Sequence, residues 1–311
     1  MTVRDIVRKA WQVTQVHLKK LIWYGAVPAF FSTVVSSVYL GYQYHAFTTS
    51  TLFTHKDPSL GDTATVVWGL ISTYPKLTVA LVIVAAVIMA GYTVLPPIFH
   101  AALIHAIMRI KNYEPISGSF EVGLRRFFPM FEYSVISGSF SVITVFTESS
   151  FVLRWWGEKV FFFILPIFLL IAMVGLIASF LFTYAEFFIV VDDKRVIKSI
   201  GESVILVLAN LRKTILVFIL MLLISARVIL NVILVLLIPM GIVALAGYLA
   251  SVFVSTVGIV LIAIFGVAAL MVTSYLMGLF NVFSTAVWVF TYVLLAHKES
   301  APIKDVDIAH G

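Results

Sequence analysis

The sequence predicts an all-α integral membrane protein with about six transmembrane helices, arranged as three repeats of a cytoplasmic amphipathic helix followed by a helical hairpin. Three observations carry this. Hydrophobic residues make up 61% of the 311-residue chain and charged residues 12%, against roughly 25% charged in soluble domains; the mean hydropathy is +1.08. Between Lys213 and Lys298 the only charged residue is Arg227, whereas a spanning helix needs ~20 apolar residues to cross ~30 Å of hydrocarbon. The basic residues also fall into alternate segments, as they do when loops are sorted to the two sides of a bilayer.

Residues 1–20 read as the first amphipathic helix. Val3, Ile6, Val7, Ala10, Trp11, Thr14 and Leu18 share one stripe, with Arg4, Asp5, Arg8, Lys9 and Gln12 opposite, the spacing of a helix with one apolar face. Thr2 followed by Asp5 is its start signal. The hairpin over 21–108 holds apolar runs at 21–42 and 77–108. Between them lie a polar loop, Thr48 to Asp62, and an interfacial segment carrying Val66, Val67, Trp68, Leu70, Ile71 and Tyr74. Pro96-Pro97 predicts a kink, because proline removes a backbone hydrogen bond and crowds the preceding turn. Gly91 with Ala86 and Ala90 predicts a small face for close helix packing.

The second unit repeats the order. Over 109–130, Phe120, Leu124, Phe127, Phe128 and Phe131 form a stripe against Glu121, Arg125 and Arg126, with Ser117 and Ser119 as start signals. The hairpin over 131–191 has runs at 131–152 and 160–191, and Gly138 with Ser137 and Ser141 reads as another small face. In the third unit, 192–213, Val196, Ile200, Val204, Val207, Leu208 and Leu211 oppose Lys194, Arg195, Lys198 and Glu202, after the acidic pair Asp192-Asp193. The hairpin over 214–296 precedes a tail, 297–311. That last apolar stretch is long enough for two, three or four crossings. The repeat favours two, with Pro239 to Gly266 as a connector or re-entrant piece; Pro239-Met240-Gly241, Gly247, Gly258, Gly266 and Gly278 are the candidate breaks.

Charge sets the expected orientation. Arg4, Arg8, Lys9, Lys19 and Lys20 precede the first span, Arg109, Lys111, Arg125 and Arg126 the third, and Lys194, Arg195, Lys198, Arg212 and Lys213 the fifth; the tail adds Lys298 and Lys304. The alternate segments hold only Lys56, Lys76, Arg154 and Lys159. Both termini are therefore expected in the cytoplasm of a prokaryote whose plasma (inner) membrane holds the chain, with residues 1–42 as a retained signal anchor. Trp23-Tyr24 and Trp155-Trp156 read as aromatic belts on opposite sides. The expected partners are membrane lipids. Arg4, Arg8, Lys9, Lys19, Lys20, Arg125, Arg126, Lys194, Arg195, Lys198, Arg212 and Lys213 are the candidates for anionic headgroups, each worth about 1 kcal/mol close to the surface. The net charge of +6 follows from topology and gives no reason to invoke nucleic acid.

Several segments resemble a known family. Thr183-Tyr-Ala-Glu-Phe-Phe-Ile-Val-Val-Asp-Asp193, Ile197-Lys-Ser-Ile-Gly-Glu-Ser203, Asn210-Leu-Arg-Lys-Thr-Ile-Leu216 and the closing Phe283-Ser-Thr-Ala-Val-Trp-Val-Phe-Thr-Tyr292 are similar to stand-alone prokaryotic six-span proteins related to the membrane domain of some glycerophosphodiester phosphodiesterases. The resemblance implies the six-span layout. The phosphodiesterase catalytic domain is absent, so it implies no catalytic residue.

Polar groups inside a membrane are costly and mark the candidate functional positions. Arg227 falls ~20 Å along the fifth span, and Glu148 reaches a similar depth on the third, so a pair between them is geometrically reasonable; the alternative is an Arg227 that snorkels outward or bonds backbone carbonyls and fixes packing. Glu186, near the cytoplasmic end of the fourth span, is a candidate proton relay or cation site with Tyr184, His100 or His105. Asn231 and Asn281 are expected to hydrogen-bond between helices. His100 and His105 are five apart, which points them away from each other on a helix and argues against a shared metal. No metal, nucleotide or nucleophile motif occurs, and the Ile-Ser-Gly-Ser-Phe repeated at 116–120 and 136–140 reads as chance. No catalytic residue, metal ligand or cofactor is therefore expected. With no cysteine, thiol chemistry is excluded.

Three functions fit this sequence. The first, favoured by the resemblance and the scarcity of polar residues, is a non-catalytic scaffold or accessory factor in membrane or envelope lipid processes. The second is a transporter or permease that uses Arg227, Glu148 and Glu186. The third is a lipid-modifying enzyme. A polar cavity reaching mid-bilayer separates the second from the first.

Overall fold

The computed structural model describes residues 3–48, 68–69, 71–73, 75–139, 141–228, 230 and 255–297. Among them every regular element is helical and no strand occurs. The principal helices in chain order are α1 (Val3–Thr48), α2 (Pro75–Lys111), α3 (Ser119–Arg125), α4 (Phe127–Ser139), α5 (Val142–Trp155), α6 (Gly157–Leu181), α7 (Ala185–Val190), α8 (Val196–Ala209), α9 (Leu211–Val228) and α10 (Ser255–Ala296). Four of them, α1, α2, α6 and α10, are long and apolar enough to cross a membrane. The number rises to six if each of two bent pairs is one span: α4 with the 144–155 part of α5, bent by 49°, and α8 with α9, bent by 99°. Exposed apolar residues fit a lipid solvent. Val79, Val82, Ile83 and Val87 on α2 and Phe163, Leu169, Leu170 and Met173 on α6 all face outward, which water would penalise at that density.

The first and last long helices form the most extensive pair. Val3 and Ile6 lie beside Thr291, Leu294 and Leu295, so the beginning of α1 and the end of α10 sit at one end of the bundle. Trp11 meets Phe283 edge-on at 5.7 Å. The tightest approach is between two glycines: a Cβ at Gly25 would lie 2.4 Å from the Gly278 carbonyl oxygen. Such small-residue crossings let backbones close on each other where lipid supplies no hydrophobic drive. Gly91 plays the expected role too, since a Cβ there would run into the Phe31 ring.

Packing is uneven along the bundle. The buried core gathers at the end that holds the N-terminus: Ile6, Ala10 and Leu21 of α1, Leu103, Ile104 and Ile107 of α2, Met130, Phe187, Val207, Val217, and Val282 to Leu295 of α10. Its centre is aromatic. Tyr184 packs against Phe187, Trp288 and Tyr292, and Phe188 meets Tyr292 edge-on at 5.0 Å. Ser203 accepts from the Tyr184 amide (3.0 Å) and donates to the Leu181 carbonyl (2.7 Å), and the Tyr184 and Thr214 hydroxyls bond to each other at 3.3 Å. The segments 183–193, 197–203, 210–216 and 283–292 thus meet in this one place. Toward the other end, a second small cluster, Val145, Val152 and Phe168, holds α5 to α6, and Arg154 ties α5 to Tyr42 (2.7 Å) and Gln43 (3.3 Å) of α1.

Several expectations change. The amphipathic segment 1–20 is not a separate interfacial helix: α1 runs unbroken through it, and Ile6, Ala10 and Thr14 are buried inside the protein. Helical periodicity says that one face is apolar, not whether lipid or another helix covers it. Pro96 and Pro97 do not end α2, which continues through both, and a kink at the pair is compatible with that continuity. Nor do Gly258, Gly266 and Gly278 break the last stretch, since α10 contains all three; Pro239, Gly241 and Gly247 lie outside the described residues. Gly138 is no packing face, because a Cβ there meets nothing within 4 Å. Neither serine nor acidic pair caps as expected: α3 starts from left-handed Gly118 (φ 83°) and α8 from Arg195, both without a side-chain cap.

A candidate ligand cavity with a His–Glu pair

A cavity of about 730 Å³ runs between α1, α2, α4 and α10. The volume falls in the ~300–1,000 Å³ range of small-molecule sites. Its α1 wall extends from Tyr24 to Leu40 and its α10 wall from Gly266 to Asn281, each ~22–24 Å of helix at 1.5 Å per residue. Ser36, Ser37 and Leu40, at the end away from the core, are exposed. Most of the wall is apolar.

The ionisable pair sits at the end nearer the packed core. His100, one turn past the prolines on α2, bonds through Nε2 to Oε2 of Glu186 at 3.0 Å, and the two side chains remain 35% and 21% exposed. Glu186 is held there because α7 is otherwise sealed in the core: Ala185, Phe187, Phe188, Ile189 and Val190 are all buried. Tyr133 lines the cavity while its hydroxyl donates to the Phe182 carbonyl at 3.1 Å. Thr273 is 7% exposed, lines the cavity, and its hydroxyl has no hydrogen-bond partner. Pro28, Pro96 and Pro97 also line it. Lacking an N–H, each proline leaves the carbonyl four residues earlier (Tyr24, Tyr92, Thr93) without its helical donor.

The expected site residues are distributed as follows. Glu186 is in the cavity, and of its three candidate partners His100 is the one that reaches it. Tyr184 is a core residue bonded to Thr214, and His105 bonds through Nδ1 to Ser119 Oγ at 3.1 Å. Asn281 lines the cavity instead of bridging two helices. Glu148 and Arg227 are both exposed, and no ion pair joins them; equal depth on two spans does not fix the rotation of either helix. Asn231 lies outside the described residues. The cavity itself could not be read from spacing, because His100 and Glu186 are 86 residues apart.

The candidate headgroup cations divide into two sets. Arg4, Arg8, Lys19, Lys20, Arg125, Arg195, Lys198, Arg212 and Lys213 are exposed, whereas Lys9 is half-buried. Arg125 shares an exposed ion pair with Glu121 at 3.3 Å. Arg126 and Lys194 are committed to ion pairs: Arg126 pairs with the exposed Asp193, and Lys194 bonds Glu202 and Asp192 beneath the Phe188 ring. Burial works against the Lys194 ammonium, but its bonds to Glu202 and Asp192 and their charges outweigh that and raise its pKa above the usual lysine value. The Arg126 hydrogen bond, aided by the charges of Arg126 and Arg125 against a small burial cost, holds Asp193 below the usual carboxylate value. Beside these cations, apolar side chains face outward: Phe120, Leu124 and Phe128 around α3, and Ile197, Ile205 and Leu208 on α8.

Comparison with protein-family models, with curated proteins and with solved structures finds no match for the chain.

Proposed function

We propose that the protein is a transporter or permease of a small amphiphilic substrate, and that the cavity between α1, α2, α4 and α10 is its binding site. The observation that carries this is an ionisable pair, His100 and Glu186, at one end of a long and mostly apolar cavity. A bundle whose role is only structural gains nothing from such a volume, since empty space forfeits packing, and a buried carboxylate costs free energy without a partner. The proposed setting is six spans in the plasma membrane with both termini in the cytoplasm, in keeping with the charge distribution and the family likeness. Two features support it: the basic residues gather at the end shared by the start of α1 and the end of α10, and the 99° bend between α8 and α9 turns a basic helix away from a span.

The test is ligand-induced stabilisation in lipid nanodiscs with dodecylamine, dodecanol and dodecanoate, followed by counterflow of the stabilising compound in proteoliposomes. At least one compound should raise the melting temperature of the wild type and exchange across the membrane, and Ser32→Phe, which fills the cavity, should lose both effects. A wild type indifferent to all three overturns the reading.

A scaffold or accessory role in lipid processes is the second reading. It is favoured by the outward apolar stripes of α3 and α8 next to Arg125, Arg195, Lys198 and Arg212, an arrangement that suits a helix lying at the lipid interface. Flotation with anionic against neutral vesicles tests it with Lys198→Glu and Arg212→Glu.

A further inference from the structure

The cavity is electrically one-sided. Among the described residues its only titratable side chains are Glu186, His100 and two tyrosines, Tyr24 and Tyr133, and no lysine or arginine lines it, although the chain has 21 of them. Around the pair, α1 contributes Tyr24, α4 contributes Tyr133, and α10 contributes the neutral Asn281 and Thr273. Along α2 the next titratable group is His105, already engaged with Ser119. An anionic headgroup entering here meets a carboxylate and no counter-charge. A cation meets that carboxylate and two tyrosines, Tyr24 and Tyr133, with no competing positive charge in the lining.

We propose that the cavity takes a lipophilic organic cation, and that this cation and a proton compete for the His100–Glu186 pair. The inference rests on the transport reading above. With one proton shared, the pair is an imidazolium and a carboxylate 3.0 Å apart and carries no net charge. When the organic cation binds Glu186, the N–H proton of His100 leaves to water; neutral imidazole, carboxylate and bound cation remain. No other bond changes. Exchange is required because an uncompensated carboxylate in apolar surroundings is costly: Glu186 keeps a positive partner at every stage, first the imidazolium and then the ligand. Both side chains stay accessible enough for a ligand to reach them.

Two ions of one shape and opposite charge make the test: tetraphenylphosphonium and tetraphenylborate, titrated into nanodisc-held protein between about pH 5.5 and 8.5, where histidine titrates. Tetraphenylphosphonium should bind more tightly than the borate. Its affinity should rise by up to about tenfold per pH unit, with roughly one proton released per cation bound, as linkage demands. Glu186→Gln should weaken cation binding and flatten its pH dependence. His100→Gln should still bind but release no proton, and it carries the test alone if Glu186→Gln does not fold. Equal binding of the two ions, both excluded by Ser32→Phe, overturns the cation and proton inference while the cavity remains a ligand site. So does absence of binding by either ion in a protein that the dodecyl compounds still stabilise. Loss of both responses overturns the transport reading as well.

Discussion

Gly25 of α1 and Gly278 of α10 approach so closely that neither can carry a side chain: a Cβ on Gly278 would lie 2.6 Å from the Ala26 Cα, and one on Gly25 2.4 Å from the Gly278 oxygen. Beyond this crossing the same two helices form opposing walls of the cavity. Gly278→Leu should therefore lower the melting temperature and disturb ligand binding together, with overpacking of about 1–3 kcal/mol. Gly138→Ala, where a Cβ meets nothing within 4 Å, should be neutral or stabilise by up to ~1 kcal/mol through helix propensity. Thermal unfolding of both variants in one detergent checks the contrast.

Ser203 joins the aromatic core to the end of α6 through two hydrogen bonds. Ser203→Ala should cost about 1–3 kcal/mol, because the Tyr184 amide is left buried without its acceptor. Thr214→Val should cost less, since the Tyr184 hydroxyl loses only a long bond of 3.3 Å. Denaturation midpoints would rank them, and the opposite ranking would mean that the hydroxyl pair holds the core.

Acid and alkali should act on the ion cluster in opposite ways. Asp193 has a lowered folded pKa, so its contribution is present above the unfolded carboxylate value of about 3.9 and is lost as pH falls through the lower folded value. Lys194 has a raised folded pKa; its contribution is complete below the unfolded lysine value of about 10.4 and is lost as pH rises through the folded one. Asp193→Asn should flatten the acid limb of a melting profile and Lys194→Met the alkaline limb. If each variant shifts both limbs equally, the assignment fails.

Glu148 and Arg227 should behave independently. Their double-mutant cycle, read from thermal stability, should close with a coupling below about 0.5 kcal/mol, as for sites without shared partners. A charge swap that rescues the single variants would show that they meet.

The membrane class, the long apolar helices and the choice of Glu186 as a residue to watch were legible because they follow from hydropathy and from the cost of charge in lipid. The faces of the helices were not. On α8 the buried positions are Val196, Ser199, Ser203 and Val207, while Ile197, Ile205 and Leu208 point out and Leu211, opening α9, is 43% exposed. A membrane helix can bury small polar residues and present its largest apolar ones to lipid, so the stripe expected from Val196, Ile200, Val204, Val207, Leu208 and Leu211 was only half right. On α1 the error ran the other way, since Ile6, Ala10 and Thr14 are buried inside the protein and do not face lipid. The partner of Glu186 was legible as one of three residues; only the tertiary approach of α7 to α2 selects His100.

The pairing of the first long helix with the last has a consequence for biogenesis. A ribosome delivers α1 to the insertion machinery first, yet the surface that covers Ile6, Ala10 and Leu21 emerges only when α10 is made. Until then α1 waits in the bilayer with its best contact unmade, exposed to wrong partners and to quality-control proteases. This seam thus closes only after α10 is translated, and a ribosome that stops before α10 leaves a membrane-inserted chain with its principal seam open.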